Sequence, residues 1–495
     1  MKTQNVFFRF LLLLLALCLC ASIVACAAED DQQEGVGDES AADDTQGSEK
    51  STLDPLEELV SLGYTYDYED FVFLIRDNDE ALRDQNVADV TDSSTMIDRA
   101  IYTRNVDLQE LFKVNFVFIK EKEANFEAAV NATALFGDNA YDVVIGEGRS
   151  IFKGILLENY ADWNELEYVN LDGAWWNQTA RDEWTTFSGK LYAMNGDLCY
   201  QTVGNAHCMF FNKTILSNAG ITSPYDQVYN DTWTQETFME TVKEAYESMD
   251  HSGTGKLGSD NFGYATQVWR GPVHVFYSTG LSMINKTEDG NYEIGWKNEP
   301  CYDVFENYRA LLFDTGYAYY LYGSASDVRN AFASETVAFF DDGVKCAMEF
   351  KGTGTDFGIV PYPKATADVD GYYSMLGSGT NTFAVLRDLS AERMDRASVM
   401  LEAMACYGYT DVMPFYYETI LSYQAMQDED SLNMLRIIHD AAFFDFGHYA
   451  DPASLYKIGA LIIQEPGVYG QNIYTAFAVL ESQVLFELNK WRELD

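Results

Sequence analysis

The sequence predicts an α/β protein built on an open parallel sheet, and three stretches near its start carry that prediction. Phe71-Val72-Phe73-Leu74-Ile75 is an apolar run of strand length that ends in Arg76-Asp77-Asn78. Met96 to Phe112 spaces Ile97, Ile101, Leu108 and Leu111 among charges as a helix does, and Val114 to Ile119 is a second strand. Phe126 to Leu135 is again helical, and Tyr141 to Gly146 is a third strand. A β-α-β-α-β order belongs to a parallel sheet covered by helices. Ligands of such sheets sit beyond the carboxyl ends of the strands, which nominates Arg76, Asp77, Gly146 and Glu147.

Ahead of this body, Lys2 and Arg9 precede an apolar run from Phe10 to Cys20, too short to span a bilayer and of the length of a secretory signal. The run closes on Ile23-Val24-Ala25-Cys26, which resembles a bacterial lipobox. The expectation is a signal peptide over 1–25, lipidation at Cys26, and membrane anchoring on the extracytoplasmic face. Residues 26–54 are rich in Asp, Glu, Gln, Gly and Ser and lack the apolar side chains to fold, so they read as an acidic tether.

Composition limits what the body can bind. With 78 Asp and Glu against 32 Lys and Arg, the formal net charge is −46, which argues against nucleic acid, an anionic bilayer or a large polyanion. Beyond Cys26 the cysteines are Cys199, Cys208, Cys301, Cys346 and Cys406, an odd and scattered set without C-x-x-C. Buried free thiols are expected, with Cys199–Cys208 the one pairing left open. His207, His251, His274, His439 and His448 stand apart and read as packed or surface residues.

Further along, the loop Asp162 to Asn177 holds Trp175 and Trp176, one of which can fill the core while the other faces a cleft. Ser188 to Lys213 reads as two strands around Gly196, either a crossing between lobes or a hairpin within one. The crossing would bring Tyr192, Asn195, Asp197 and Tyr200 near a cleft. Thr234 to Met249 is a helix, and Asp250 to Asn261 resembles a calcium loop that lacks its final bidentate Glu, so no metal is expected there. Gly263 to Trp269 is a strand ending in an aromatic ring and Arg270. Thr336 to Phe340 is a strand ending in Asp341-Asp342-Gly343, and Phe357 to Lys364 a strand closed by prolines. Gly377-Ser378-Gly379-Thr380-Asn381 precedes a strand over Thr382 to Leu386, and 391–495 is mostly helical.

The lipobox, the acidic tether, Tyr-Asp-Val-Val at 141–144, Trp-Trp-Asn at 175–177, Phe-Phe-Asn-Lys at 210–213, Phe-Gly-Ile-Val-Pro-Tyr-Pro-Lys at 357–364 and the helical tail together resemble the family 1 extracellular solute-binding proteins of bacterial ABC importers. The resemblance implies a two-lobe, type II periplasmic-binding-protein-like fold closing by a hinge. Lobe 1 would take 66–200 and 366–412, and lobe 2 would take 205–365 and 413–495. The implied ligand is a sugar or oligosaccharide, held by aromatic faces of Trp176, Trp269, Tyr372, Tyr373 and Tyr416 and by hydrogen bonds from Arg76, Glu147, Asp197, Asp341 and Asn381. The implied partners are that small molecule and the permease subunits of an importer, with the protein a monomer, no cofactor and no nucleic acid.

Two other classes fit the same features: an extracellular glycan-active enzyme, and a surface sensor or adhesin on the same fold. The sequence contains no G-x-S-x-G, H-E-x-x-H or P-loop to support catalysis.

Overall fold

The computed structural model describes residues 54–77, 84, 90–92, 94–377, 379–417, 428–457 and 473–494. The chain divides into two units, Met1–Thr52 and Leu53–Asp495, and all described residues belong to the second. The signal segment, Cys26 and the tether up to residue 53 lie outside the described residues, as does Ser378.

The first lobe forms around β1 (Glu69–Arg76), whose Phe71, Phe73, Leu74 and Ile75 are fully buried. It pairs in parallel with β2 (Val114–Glu121) on one side and β3 (Val143–Glu147) on the other. The helices between them stop where local chemistry stops them. Met96–Phe112 starts at a Thr95/Asp98 capping box and ends at left-handed Lys113, and Glu123–Phe136 ends at Gly137 with φ 61°.

The second lobe gathers β4 (His207–Asn212), β5 (Phe262–Gln267), β8 (Ala318–Leu321), β9 (Val337–Gly343) and β10 (Phe357–Pro361) in the order β10-β4-β9-β5-β8. β5 runs parallel to β8 and β9, while β4 runs antiparallel to β9 and β10. A small hairpin, β6 (Ile284–Lys286) with β7 (Tyr292–Ile294), and a short pair, β11 (Ser374–Met375) with β13 (Ala442–Phe443), lie outside both sheets. The last strand, β12 (Asn381–Val385), returns to the first sheet and pairs antiparallel with β3, so that the order there is β12-β3-β1-β2.

The stretch 188–213 is the crossing rather than a hairpin. Met194 exchanges backbone hydrogen bonds of 2.9 Å with Phe383 of β12, and thirteen positions later the chain is already β4 of the other sheet. Its first half forms isolated bridges instead of a strand. The C-terminal helices touch both lobes. Glu429–Asp440 packs on β10, whereas Phe446–Ala450 packs on the helix Gly148–Leu156 that follows β3. All five described cysteines are free and buried, including Cys199 and Cys208. In the Asp250 loop the carboxylates accept from the loop's own groups: Ser252 N donates to Asp250 Oδ1 at 3.0 Å and Gly255 N to Asp260 Oδ2 at 2.8 Å.

Candidate functional site

The two sheets turn strand ends toward one cavity of about 500 Å³. From the first sheet come Arg76 at the end of β1, Glu147 at the end of β3 and Asn381 at the start of antiparallel β12, which is in register with Glu147. The second sheet supplies Asp342 and Gly343 at the end of β9 and His207 at the start of antiparallel β4, with Trp269 and Arg270 just past β5. Arg149 enters from the first turn of Gly148–Leu156, Lys345 from the turn after β9, and Gln201 and Asn205 from the crossing.

Ion pairs shape both walls. Glu147 accepts two hydrogen bonds from Arg149, at 2.8 and 2.5 Å, and lies 3.4 Å from Arg76 Nη1. Asp342 stands in the same relation to Arg329, at 2.7 Å, and Arg270, at 3.0 Å. Burial pushes the Asp342 carboxyl up, but these two guanidiniums outweigh it and hold the group below the ordinary carboxylate value. Asn381 Nδ2 donates to Asp84 Oδ2 at 2.6 Å, fixing the amide at the cavity edge.

The three histidines that look isolated in the sequence meet here. His207 and His274 stack with ring centroids 3.4 Å apart and 8° between planes, and His448 also lines the cavity. Burial, then neighbouring His207, drives His274 well below the ordinary imidazole value, and burial with Arg149 nearby pushes His448 down to about 3. Both rings are therefore neutral hydrogen-bonding groups. Behind them Asp341 pairs with His207 Nε2 at 2.8 Å and accepts from the Tyr264 hydroxyl at 2.7 Å. The aromatic wall is Trp269, 42% exposed, with its ring 5.6 Å from Tyr456, over which the Arg149 guanidinium lies at 3.8 Å.

Of the residues nominated from sequence, Arg76, Glu147, Trp269 and Asn381 line this cavity, and Asp341 supports it from behind through His207. The other five lie elsewhere. Trp176 is buried in the first lobe, edge-on to Trp163 at 5.3 Å, with its indole N–H on Glu402 at 2.9 Å. Asp197 backs onto Trp175 and the π-helical turn Gly408–Val412, and Tyr416 packs against Tyr200 at 4.7 Å. Tyr372 and Tyr373 line a separate groove with Leu281 and Phe443. Sequence reasoning missed Arg149, His207, His274, Lys345, His448 and Tyr456 as lining residues. Extending the strand-end rule past the strand into the next turn would have reached Arg149 and Lys345. His207 needed the knowledge that β4 is antiparallel, which brings its amino end to the cavity.

No family model and no curated protein matches the sequence. Solved structures do match. The GacH receptor of Streptomyces glaucescens is similar over 84% of this chain and 98% of its own, at 15% identity and TM-score 0.55. The galacto-N-biose/lacto-N-biose I-binding protein of a Bifidobacterium longum ABC transporter is similar over 87% and 98%, at 11% identity and TM-score 0.56. UgpB from Mycobacterium tuberculosis, solved with glycerophosphocholine, is similar over 85% and 98%, at 17% identity and TM-score 0.55. The chain has the two-lobe α/β fold of these ABC substrate-binding proteins. That is the fold the sequence resemblance implies.

Proposed function

We propose that this chain is a family 1 extracellular solute-binding lipoprotein, anchored at Cys26 after removal of 1–25 and held off the membrane by the acidic segment 26–54. It captures a sugar or oligosaccharide between its lobes and delivers it, as a monomer, to the permease of an ABC importer. The observation that carries this reading is the convergence of strand ends from both sheets on one cavity of about 500 Å³, within the range of roughly 300–1,000 Å³ usual for small-ligand sites. Neutral imidazoles, amide groups and an exposed indole face suit hydroxyls and a pyranose ring. The neighbours solved with acarbose, lacto-N-biose and glycerophosphocholine support solute capture by this fold.

In this reading Arg76, Glu147, Trp269 and Asn381 contact the ligand together with Arg149, His207, Arg270, Lys345 and Tyr456. Lobe 1 takes 66–200 and 366–412, and lobe 2 takes 205–365 with part of 413–495. The protein binds and does not turn over its ligand.

The test is a thermal-shift screen of the whole chain against mono- and oligosaccharides, amino acids, peptides and polyamines, with product analysis of every hit. A ligand at 100 times its Kd stabilises by about 2.7 kcal/mol, which at roughly 2–4 °C per kcal/mol for a domain of 150–250 residues is a rise of about 5–11 °C in Tm. A sugar-induced rise with the sugar recovered intact is expected. Breakdown of the sugar, or a rise only with peptides or polyamines, overturns the proposal. Loss of metabolic fatty-acid labelling in Cys26→Ala tests the anchor.

A further inference from the structure

Resting on that solute-binding reading, we infer that the ligand is an acidic glycan: a small saccharide bearing a carboxylate or a phosphate, whose negative charge is received by arginines from both lobes. Each lobe places one carboxylate between two guanidiniums. Glu147 serves Arg76 and Arg149, and Asp342 serves Arg270 and Arg329. One negative charge between two positive ones leaves a surplus on the first wall; on the second, buried Asp341 behind His207 offsets one guanidinium, and Lys345 in the same lining restores the surplus. The outer carboxylates that complete the pairing, Glu123 beside Arg76 and Glu349 beside Arg329, have side chains 73% and 51% exposed, where solvent screens them. Asp84, the remaining acid of the lining, lies near buried Arg104, whose charge offsets it.

Donors point the same way. Arg76 Nε is buried and meets no acceptor among the described residues. Arg270 Nε is buried 3.0 Å from Asp342 Oδ1 but misaligned, so it makes no hydrogen bond among the described residues. A buried guanidinium N–H without an acceptor is costly, and a planar oxyanion accepting from two guanidinium nitrogens would satisfy it. Trp269 and Tyr456 supply the ring face beside these cations, which is why the anion belongs on a sugar. The net charge of −46 excludes a long polyanion but not one acidic group placed within this lining.

The test is isothermal titration of the whole chain with galacturonate di- and trisaccharides, the matching neutral galactosides, hexose phosphates, free glutamate and inorganic phosphate. An acidic glycan is expected to bind at least 100-fold tighter than its neutral counterpart, the carboxylate and phosphate arms showing which group is read. Arg270→Gln is expected to weaken it at least tenfold and Arg270→Lys less. Lys345→Met provides a second variant, expected to lower affinity severalfold, should Arg270→Gln fail to fold. Equal or tighter binding of the neutral glycan overturns the inference and leaves the solute-binding reading standing. Binding of only glutamate or phosphate overturns the glycan in both. A chain that binds none of these or the other solutes screened loses both readings.

Discussion

Replacing Asp197 by Asn should stabilise the protein, and by an amount that grows with pH. Asp197 is held in the first lobe by its backbone, with its N–H on Trp175 O at 2.8 Å, and burial alone raises its carboxyl from 3.8 to about 7. Below pH 3.8 both folded and unfolded chains carry the proton, and the group costs nothing. As pH rises toward 7 the unfolded chain ionises while the folded one does not, so stability falls by about 1.4 kcal/mol per pH unit and then levels off. At full expression the penalty approaches roughly 4 kcal/mol, which the amide, unable to ionise, avoids. Glu402, Asp445 and Asp451, each raised to about 7 with burial as the leading cause, tilt the parent in the same direction. Asp342 and Asp428, held below the ordinary value, lose stability only as pH falls below that window. Urea unfolding of parent and Asp197→Asn from pH 4.5 to 8 reads the difference directly. A gap that stays flat across that range, or one that closes as pH rises, refutes the argument that desolvation of this carboxyl is paid in the folded state. Ligand affinity should be the same in both proteins, since Asp197 does not line the cavity.

Trp176→Phe removes the donor 2.9 Å from Glu402 and should cost about 1–3 kcal/mol of stability in denaturant titrations with affinity unchanged. Weaker binding at full stability would return Trp176 to the site. Trp269→Ala should do the reverse, leaving stability within about 0.5 kcal/mol because its ring is 42% exposed, while calorimetric affinity drops tenfold or more. Cys199, Cys208 and Cys346 are buried with thiols pushed well up, so a thiol-specific reagent should label them only after unfolding. Rapid labelling in native buffer would contradict the packing described.

The strands of the first lobe were legible because their burial is local. A central strand covered on both faces must be apolar throughout, and Phe71 to Ile75 says so in five residues. Helix starts are marked in the sequence where a capping Thr stands, as Thr95 before Met96 and Thr234 before Gln235 do in the structure. β8 was hidden because Ala318–Leu321 is an edge strand in a tyrosine-rich stretch whose pattern continues from the preceding helix. The candidate site was half legible for a related reason. Strand ends announce themselves, but the direction of a strand does not, and His207 reaches the cavity only because β4 is antiparallel. Aromatic residues were the poorest guide. Trp176 and Trp269 are the same side chain, yet Trp176 is buried with its indole N–H on Glu402, 226 positions away, and Trp269 is 42% exposed, a difference that rests on contacts remote in sequence.

Charge misleads in the same manner, through a sum that discards position. A formal −46 describes the far field, which sets solubility and repels large polyanions, yet each charge acts over a Debye length of roughly 8 Å at physiological salt. Around the cavity the relevant inventory is Glu147 between two arginines, Asp342 between two more with Asp341 behind His207, Asp84 near Arg104, and Lys345. The acidic surface and the cationic lining are compatible because the fold separates them: strand ends draw a few basic side chains inward from both sheets while most of the acids face solvent. Net charge therefore constrains how large and how highly charged a ligand can be as it approaches, and the pairing at the strand ends constrains which charge it carries once inside.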